Sequence, residues 1–143
     1  MSSIRLRLIC TTPPTEGQAD EETEFGLQDR KQMLFSGQKQ GDGSIHYEFG
    51  VEARPDPQTA KPRFSSAFVH GSSATPFLYL SLKRKQAAES PWIRRLKIPL
   101  ASITWAQVEQ VARMESGILE ARVAGTGTGT VPLLGEGWTA HEK

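Results

Sequence analysis

A chain of 143 residues with 17 basic and 16 acidic side chains, net charge +1 and 37% hydrophobic residues fits one domain, 1–143, with a core of its own. The near-neutral balance argues against a dedicated nucleic-acid module, which carries a basic excess. No apolar run approaches the ~20 residues that cross a bilayer, and the single cysteine excludes an intramolecular disulfide.

From Ile4 onward the chain alternates between apolar and polar residues. Ile4, Leu6, Leu8 and Cys10 alternate with Arg5, Arg7 and Ile9. Successive side chains of a strand point to opposite faces, so this period of two describes a half-buried strand that stops at Pro13-Pro14. Its parity makes Cys10 a buried, inert thiol. The start is too arginine-interrupted for a signal peptide, so a cytoplasmic setting is expected.

Glu16 to Glu24 carries five acids and no base, which describes a flexible, solvated loop near 13–24. Phe25 to Gln28 and Met33 to Phe35 read as two short strands. Asp42-Gly43 is a tight-turn dipeptide leading into Ser44 to Ala53, where Ile45, Tyr47, Phe49, Val51 and Ala53 share one face. Pro55, Pro57 and Pro62 mark a proline-rich loop near 55–63. Phe68 to His70 ends at Gly71. Phe77 to Leu82 is apolar on both parities, as expected of a central strand, with Ile93 to Leu100 as its partner.

Thr104-Trp105-Ala106-Gln107 has the Thr-x-x-Gln form of a capping box, in which two side chains satisfy free backbone donors. Trp105, Val108, Val111 and Ala112 recur at helical spacing, and Gly117 is a natural stop, so one short helix is expected near 104–115. Ile118 to Ala124 and Thr130 to Leu134 complete the pattern as a hairpin across the Gly125–Gly129 tract, with Trp138 anchoring the tail on the core. About eight short strands and one helix describe a mainly β fold, an antiparallel barrel or two-layer sandwich.

The sharpest charge feature is Lys83-Arg84-Lys85 with Arg94, Arg95 and Lys97, six bases against Glu89 alone. A hairpin would gather them on one rim beside Trp92, whose ring can stack on a ligand, giving an anion site. The opposing reading is a solvated hairpin tip, or a surface salt bridge to the acidic loop. Parity puts Arg94 inward with Trp92, Leu96 and Ile98, where a guanidinium needs a carboxylate or bound anion. His70, before Gly71-Ser72-Ser73, invites comparison with a general base. No Gly-x-Ser-x-Gly elbow accompanies it, so no catalytic residue is assigned. His46, His70, His141 and Cys10 have no metal-ligand spacing, and Gly125 to Thr130 lacks the Gly-Lys-Ser/Thr ending of a phosphate loop. No metal or cofactor is expected.

Phe25-Gly26-Leu27-Gln28, Phe68-Val69-His70-Gly71, Phe77-Leu78-Tyr79-Leu80-Ser81 and Arg94-Arg95-Leu96-Lys97 resemble segments of an uncharacterised family of small bacterial proteins, a domain of unknown function. The resemblance covers roughly residues 4 to 100 and implies no activity. Two functions follow from the residues themselves. One is a non-enzymatic binding or interaction module contacting a protein or small anionic ligand through Trp92, Arg94, Arg95 and Lys97. The other is a small-ligand-binding barrel or sandwich, open to catalysis, with an internal pocket near Tyr79, His70 and Arg94. Nucleic acid ranks behind both, and no membrane partner is expected.

Overall fold

The computed structural model describes residues 2–11, 23–26, 34–35, 38–66, 69–71, 75–84, 93–124 and 129–142. Twelve strands and one helix occur among them. The first sheet is built from β1 (Ser2–Thr11), β4 (Gln38–Lys39), β5 (Ile45–Pro55), β6 (Pro62–Ser65), β10 (Gly117–Ala124) and β12 (Leu134–Glu142), in the order β12-β10-β1-β5-β4 with β6 also on β5. The second contains β2 (Thr23–Gly26), β3 (Leu34–Phe35), β7 (Val69–His70), β8 (Phe77–Arg84), β9 (Ile93–Pro99) and β11 (Gly129–Thr130), in the order β11-β9-β8-β2-β3 with β7 also on β8.

The alternation of β1 and β5 translates directly into the core. Ile4, Leu6, Leu8 and Cys10 are buried on one side, and Tyr47, Phe49, Val51 and Ala53 are buried beside them. Leu119, Ala121 and Val123 of β10 continue this face, and Leu78, Leu96 and Ile98 of the second sheet join the same cluster. Burying a Leu, Ile or Phe side chain contributes roughly 1.5–3 kcal/mol, so this shared cluster dominates the stability of the two-sheet arrangement. Ile9 is buried too, at 2% exposure, although it lies on the face opposite Leu8. Ile118 does the same on β10, so the outer face of the first sheet is not uniformly polar.

Three expectations are corrected. The sheets are mixed, not antiparallel: β1 pairs with β10 in parallel, as β9 does with β11. Parallel neighbours require a long crossover, and here β2 to β9 and the helix lie between β1 and β10 in the chain. Neither sheet closes on itself among the described residues, so the barrel alternative is not met. The tract at 125–129 does not join a hairpin, because β10 and β11 belong to different sheets; β10 pairs instead with β12. Trp138 is buried at 2% and donates its Nε1–H to the Pro99 carbonyl at 2.9 Å, as a packing anchor, but within a strand rather than a tail.

Local signals did what their chemistry requires. The Thr104 hydroxyl accepts from the Gln107 backbone N–H at 3.2 Å, and Gln107 Oε1 accepts from the Thr104 N–H at 2.9 Å, starting α1 (Trp105–Arg113). Val108 and Val111 are buried and Trp105 packs partly against the core, but Ala112 is exposed. The helix lies against β1, β10 and β12. In the Asp42-Gly43 turn, Asp42 Oδ1 accepts from the Ser44 N–H at 2.9 Å and hydroxyl at 2.6 Å, which lowers the Asp42 carboxyl pKa. Gly43 takes a φ of 89°, the left-handed region that favours glycine. The proline-rich loop is a turn closing a β5–β6 hairpin, with Pro55 opposite Pro62. The acidic segment 12–22 lies outside the described residues, as does the tract 125–128.

Candidate functional site: the outer face of the first sheet

The polar parity of β1 points Arg5 and Arg7 away from the core. Antiparallel register places Arg7 opposite Glu48 of β5, and parallel register places it opposite Glu120 of β10. The guanidinium therefore lies between two carboxylates from the two neighbouring strands. Its Nη2 and Nε donate to Glu48 Oε1 at 3.0 and 3.3 Å, and its Nη1 donates to Glu120 Oε2 at 3.0 Å. Arg5 Nη2 approaches the second Glu48 oxygen at 3.6 Å. On the far side, His141 Nε2 lies 4.0 Å from Glu120 Oε1 and 2.8 Å from the Thr139 hydroxyl. The chain of contacts crosses four adjacent strands, β5-β1-β10-β12.

Arg7 and Glu120 are only 17% and 16% exposed at their side chains, so this network is less screened than an ordinary surface pair. Burial alone would lower the Arg7 pKa. The hydrogen bonds to Glu48 and Glu120 outweigh it and raise the pKa above the usual arginine value, fixing the charge at any physiological pH. The planar fork of arginine suits two acceptors on opposite sides, where a lysine ammonium would reach both less well.

Two shallow grooves flank the network. The first, about 320 Å³, runs over Gly50 and is walled by Ser3, Arg5, Glu52, Ser65 and Ser66. The second, about 290 Å³, lies where the β10–β12 ladder shifts register between Glu120 and Arg122, and takes in Leu134, Glu136, Thr139 and His141. Leu134 is the exposed large hydrophobic residue of the described surface, at 40%. No group of three or more His, Cys, Asp or Glu among the described residues is arranged to hold a metal ion. What this face offers chemically is hydrogen bonding and charge: guanidinium, carboxylate and hydroxyl groups on a fixed sheet.

The residues singled out in the sequence lie on the second sheet. Tyr79 and Lys97 are a cross-strand pair of β8 and β9, with Tyr79 half-buried and Lys97 exposed. Leu96 and Ile98, on the other parity of β9, are fully buried. The backbone register sets Arg95 opposite Ser81 and Arg94 opposite Leu82. His70 pairs with Phe77 along β8. The side chains of Arg94, Arg95 and His70, and the whole of Trp92, lie outside the described residues. The register also sets Glu24 of β2 opposite Lys83 of β8, bringing the end of the acidic segment alongside the start of the basic one.

Sequence reasoning did not assemble the Arg7 network. Its signal was present as complementary charge at the polar positions of three strands: Arg5 and Arg7, Glu48, and Glu120. Reading it required knowing that β10 lies beside β1.

These features define a mainly β protein of two open mixed sheets, one short helix and a charged outer face. The chain belongs to a family of unknown function, DUF5990, whose model matches residues 4–141. No curated protein and no solved structure matches it. No helix among the described residues is long and apolar enough to cross a membrane.

Proposed function

We propose that this chain is a non-enzymatic binding module and that the outer face of its first sheet is the contact surface. The observation that carries the reading is Arg7 held between Glu48 and Glu120, 17% exposed and hydrogen-bonded on both sides. Three side chains from three strands are already ordered there, so a partner meets a polar platform whose rotamer entropy is already lost. The grooves at its two ends supply relief for a ligand or a protein loop. A reducing, cytoplasmic setting accords with a single buried cysteine.

A second reading keeps the basic strands as an anion contact, formed by Arg94, Arg95 and Lys97 with Trp92, Tyr79 and His70 around them. The exposed Lys97, opposite half-buried Tyr79 in the ladder, favours it, since an exposed ammonium can donate charge-assisted hydrogen bonds to an anion.

Amide chemical-shift mapping separates the two readings. The labelled chain is titrated with a mixed set of small polar fragments, then with inorganic phosphate and a short oligonucleotide at low and high salt. The first reading expects shifts at Ser3, Arg5, Gly50, Glu120 and Thr139. Shifts confined to Tyr79 and Lys97, weakening with salt, would establish the second reading in its place. A spectrum unmoved by all three would sink both.

A further inference from the structure

We infer that the groove over Gly50 is a binding site for a small zwitterion, a molecule carrying a carboxylate and an ammonium close together, of which a free α-amino acid is the simplest case. The inference rests on the binding-module reading and names the ligand class of one of its grooves.

Gly50 stands in the middle of β5, an 11-residue strand, where glycine is a weak choice because it has no side chain to pack and the largest backbone entropy to lose. Nothing among the described residues requires it. Its φ is not in the left-handed region, and a Cβ built on it would meet no atom of the described residues within 4 Å. A strand glycine without a conformational or packing reason marks a place where something else approaches the backbone. Here it forms the floor of a groove of about 320 Å³, which matches the low end of small-molecule sites.

The walls carry opposite charges that do not neutralise each other. Arg5 is the cross-strand partner of Gly50, its side chain 53% exposed, and its ion pair among the described residues is with Glu48 Oε2 at 3.6 Å. Most of its five N–H donors therefore face the groove and solvent. Glu52, two residues beyond Gly50 on the same face, is exposed and forms no ion pair with a described cation. As a diagonal neighbour of Arg5 it begins about 7–8 Å away at the backbone, with the side-chain-free position between them. Ser3 and Ser65, which flank Glu52 in the ladder, add exposed hydroxyls.

A pure anion would face Glu52, and a pure cation would face Arg5. A molecule with both charges satisfies both walls at once. Its carboxylate takes the planar donors of Arg5, its ammonium turns to Glu52, and the serine hydroxyls complete the hydrogen bonds. The glycine floor leaves the room in which it sits.

The test uses the whole labelled chain and three probes of similar size: alanine as zwitterion, acetate as anion and methylammonium as cation. Alanine is expected to shift the amides of Ser3, Gly50 and Ser65 saturably. Acetate and methylammonium should each bind about tenfold more weakly, since each forfeits one charged interaction. Gly50→Val fills the floor with a residue that suits a strand and has open space to occupy, so it should fold normally and lose alanine binding. Arg5→Gln and Glu52→Gln should each weaken alanine about tenfold. Equal affinity for alanine in Gly50→Val and the parent chain would overturn the site, and equal affinity for acetate and alanine would overturn the ligand class. Shifts on this face from the mixed fragments but none from alanine would also overturn the ligand class while leaving the binding-module reading standing.

Discussion

The side-chain amide of Gln107 donates to the backbone carbonyl of Trp138 at 2.8 Å, so the residue that completes the helix cap also ties the last strand to the helix. Trp138 in turn donates to Pro99 at 2.9 Å, extending the tie to the second sheet. A cap that looks purely local is thereby wired into the joint between the two sheets.

Replacing the two capping residues separates these roles. Thr104→Ala removes the acceptor for the Gln107 N–H and should cost about 1 kcal/mol. Gln107→Ala removes the reciprocal half of the cap and orphans the Trp138 carbonyl, and should cost about 2 kcal/mol. Urea denaturation of both variants is the measurement. Equal losses would mean that the Trp138 tie contributes nothing.

Arg7→Met should lower stability by about 2 kcal/mol, because it leaves Glu48 and Glu120 facing each other across β1 without the cation that bridged them. Arg7→Lys should recover only part of the loss, since a single ammonium cannot reproduce the two-sided fork. A lysine variant as stable as the parent chain in urea would show that charge alone, without geometry, holds the network.

Two glycines should respond in opposite ways. A Cβ on Gly117 would collide with the Val111 carbonyl and come within 2.9 Å of Met114 Cβ, where the chain leaves α1 and enters β10. Gly117→Ala is expected to cost about 1–3 kcal/mol. Gly50→Ala meets open space and should be neutral or stabilising by roughly 0.5 kcal/mol. Thermal melts of the pair decide it, and a destabilised Gly50→Ala would count against the empty floor of the groove.

Alkaline stability should report on Tyr47. Burial, with a smaller contribution from Cys10, pushes its phenol above the ordinary value of 10.0. A raised folded pKa means that the neutral phenol's contribution is complete below about pH 10 and is lost as the pH rises past it, because the unfolded chain can ionise there and the folded one resists. The urea midpoint of the parent chain should therefore fall more between about pH 8 and pH 11 than that of Tyr47→Phe. Parallel declines would show that Tyr47 titrates normally.

What the sequence disclosed follows from the reach of each signal. The Thr104–Gln107 cap spans three residues, and the alternation of β1 and β5 is written residue by residue, so both could be read directly. The β8–β9 pair could be read because the two strands are neighbours in the chain. The parallel pairing of β1 with β10 could not, since alternation states which face a residue takes and is silent on which strand lies beside it. β12 was missed because Gly135 and Gly137, both at positive φ, interrupt the pattern that Trp138 continues. The charged outer face depends on that hidden neighbour relation, whereas the basic residues of β9 stood out only because they are contiguous in sequence. The expected strand from Thr130 to Leu134 failed for a related reason: Thr130 ends β11 and Leu134 opens β12, in different sheets.

β1 lies between β5 and β10, and its Arg7 finds Glu120 at a separation of 113 residues. At a synthesis rate of roughly 5–20 residues per second, the nascent strand waits on the order of ten seconds before that neighbour emerges. It can zip to β5 early, but its other edge stays open until the final third of the chain arrives. Closing so long a loop before any contact rewards it slows the search, so refolding should take milliseconds to seconds rather than microseconds. During that interval the exposed edge is the point where a second unfinished chain could add on, and it is there that a holdase would have most to protect.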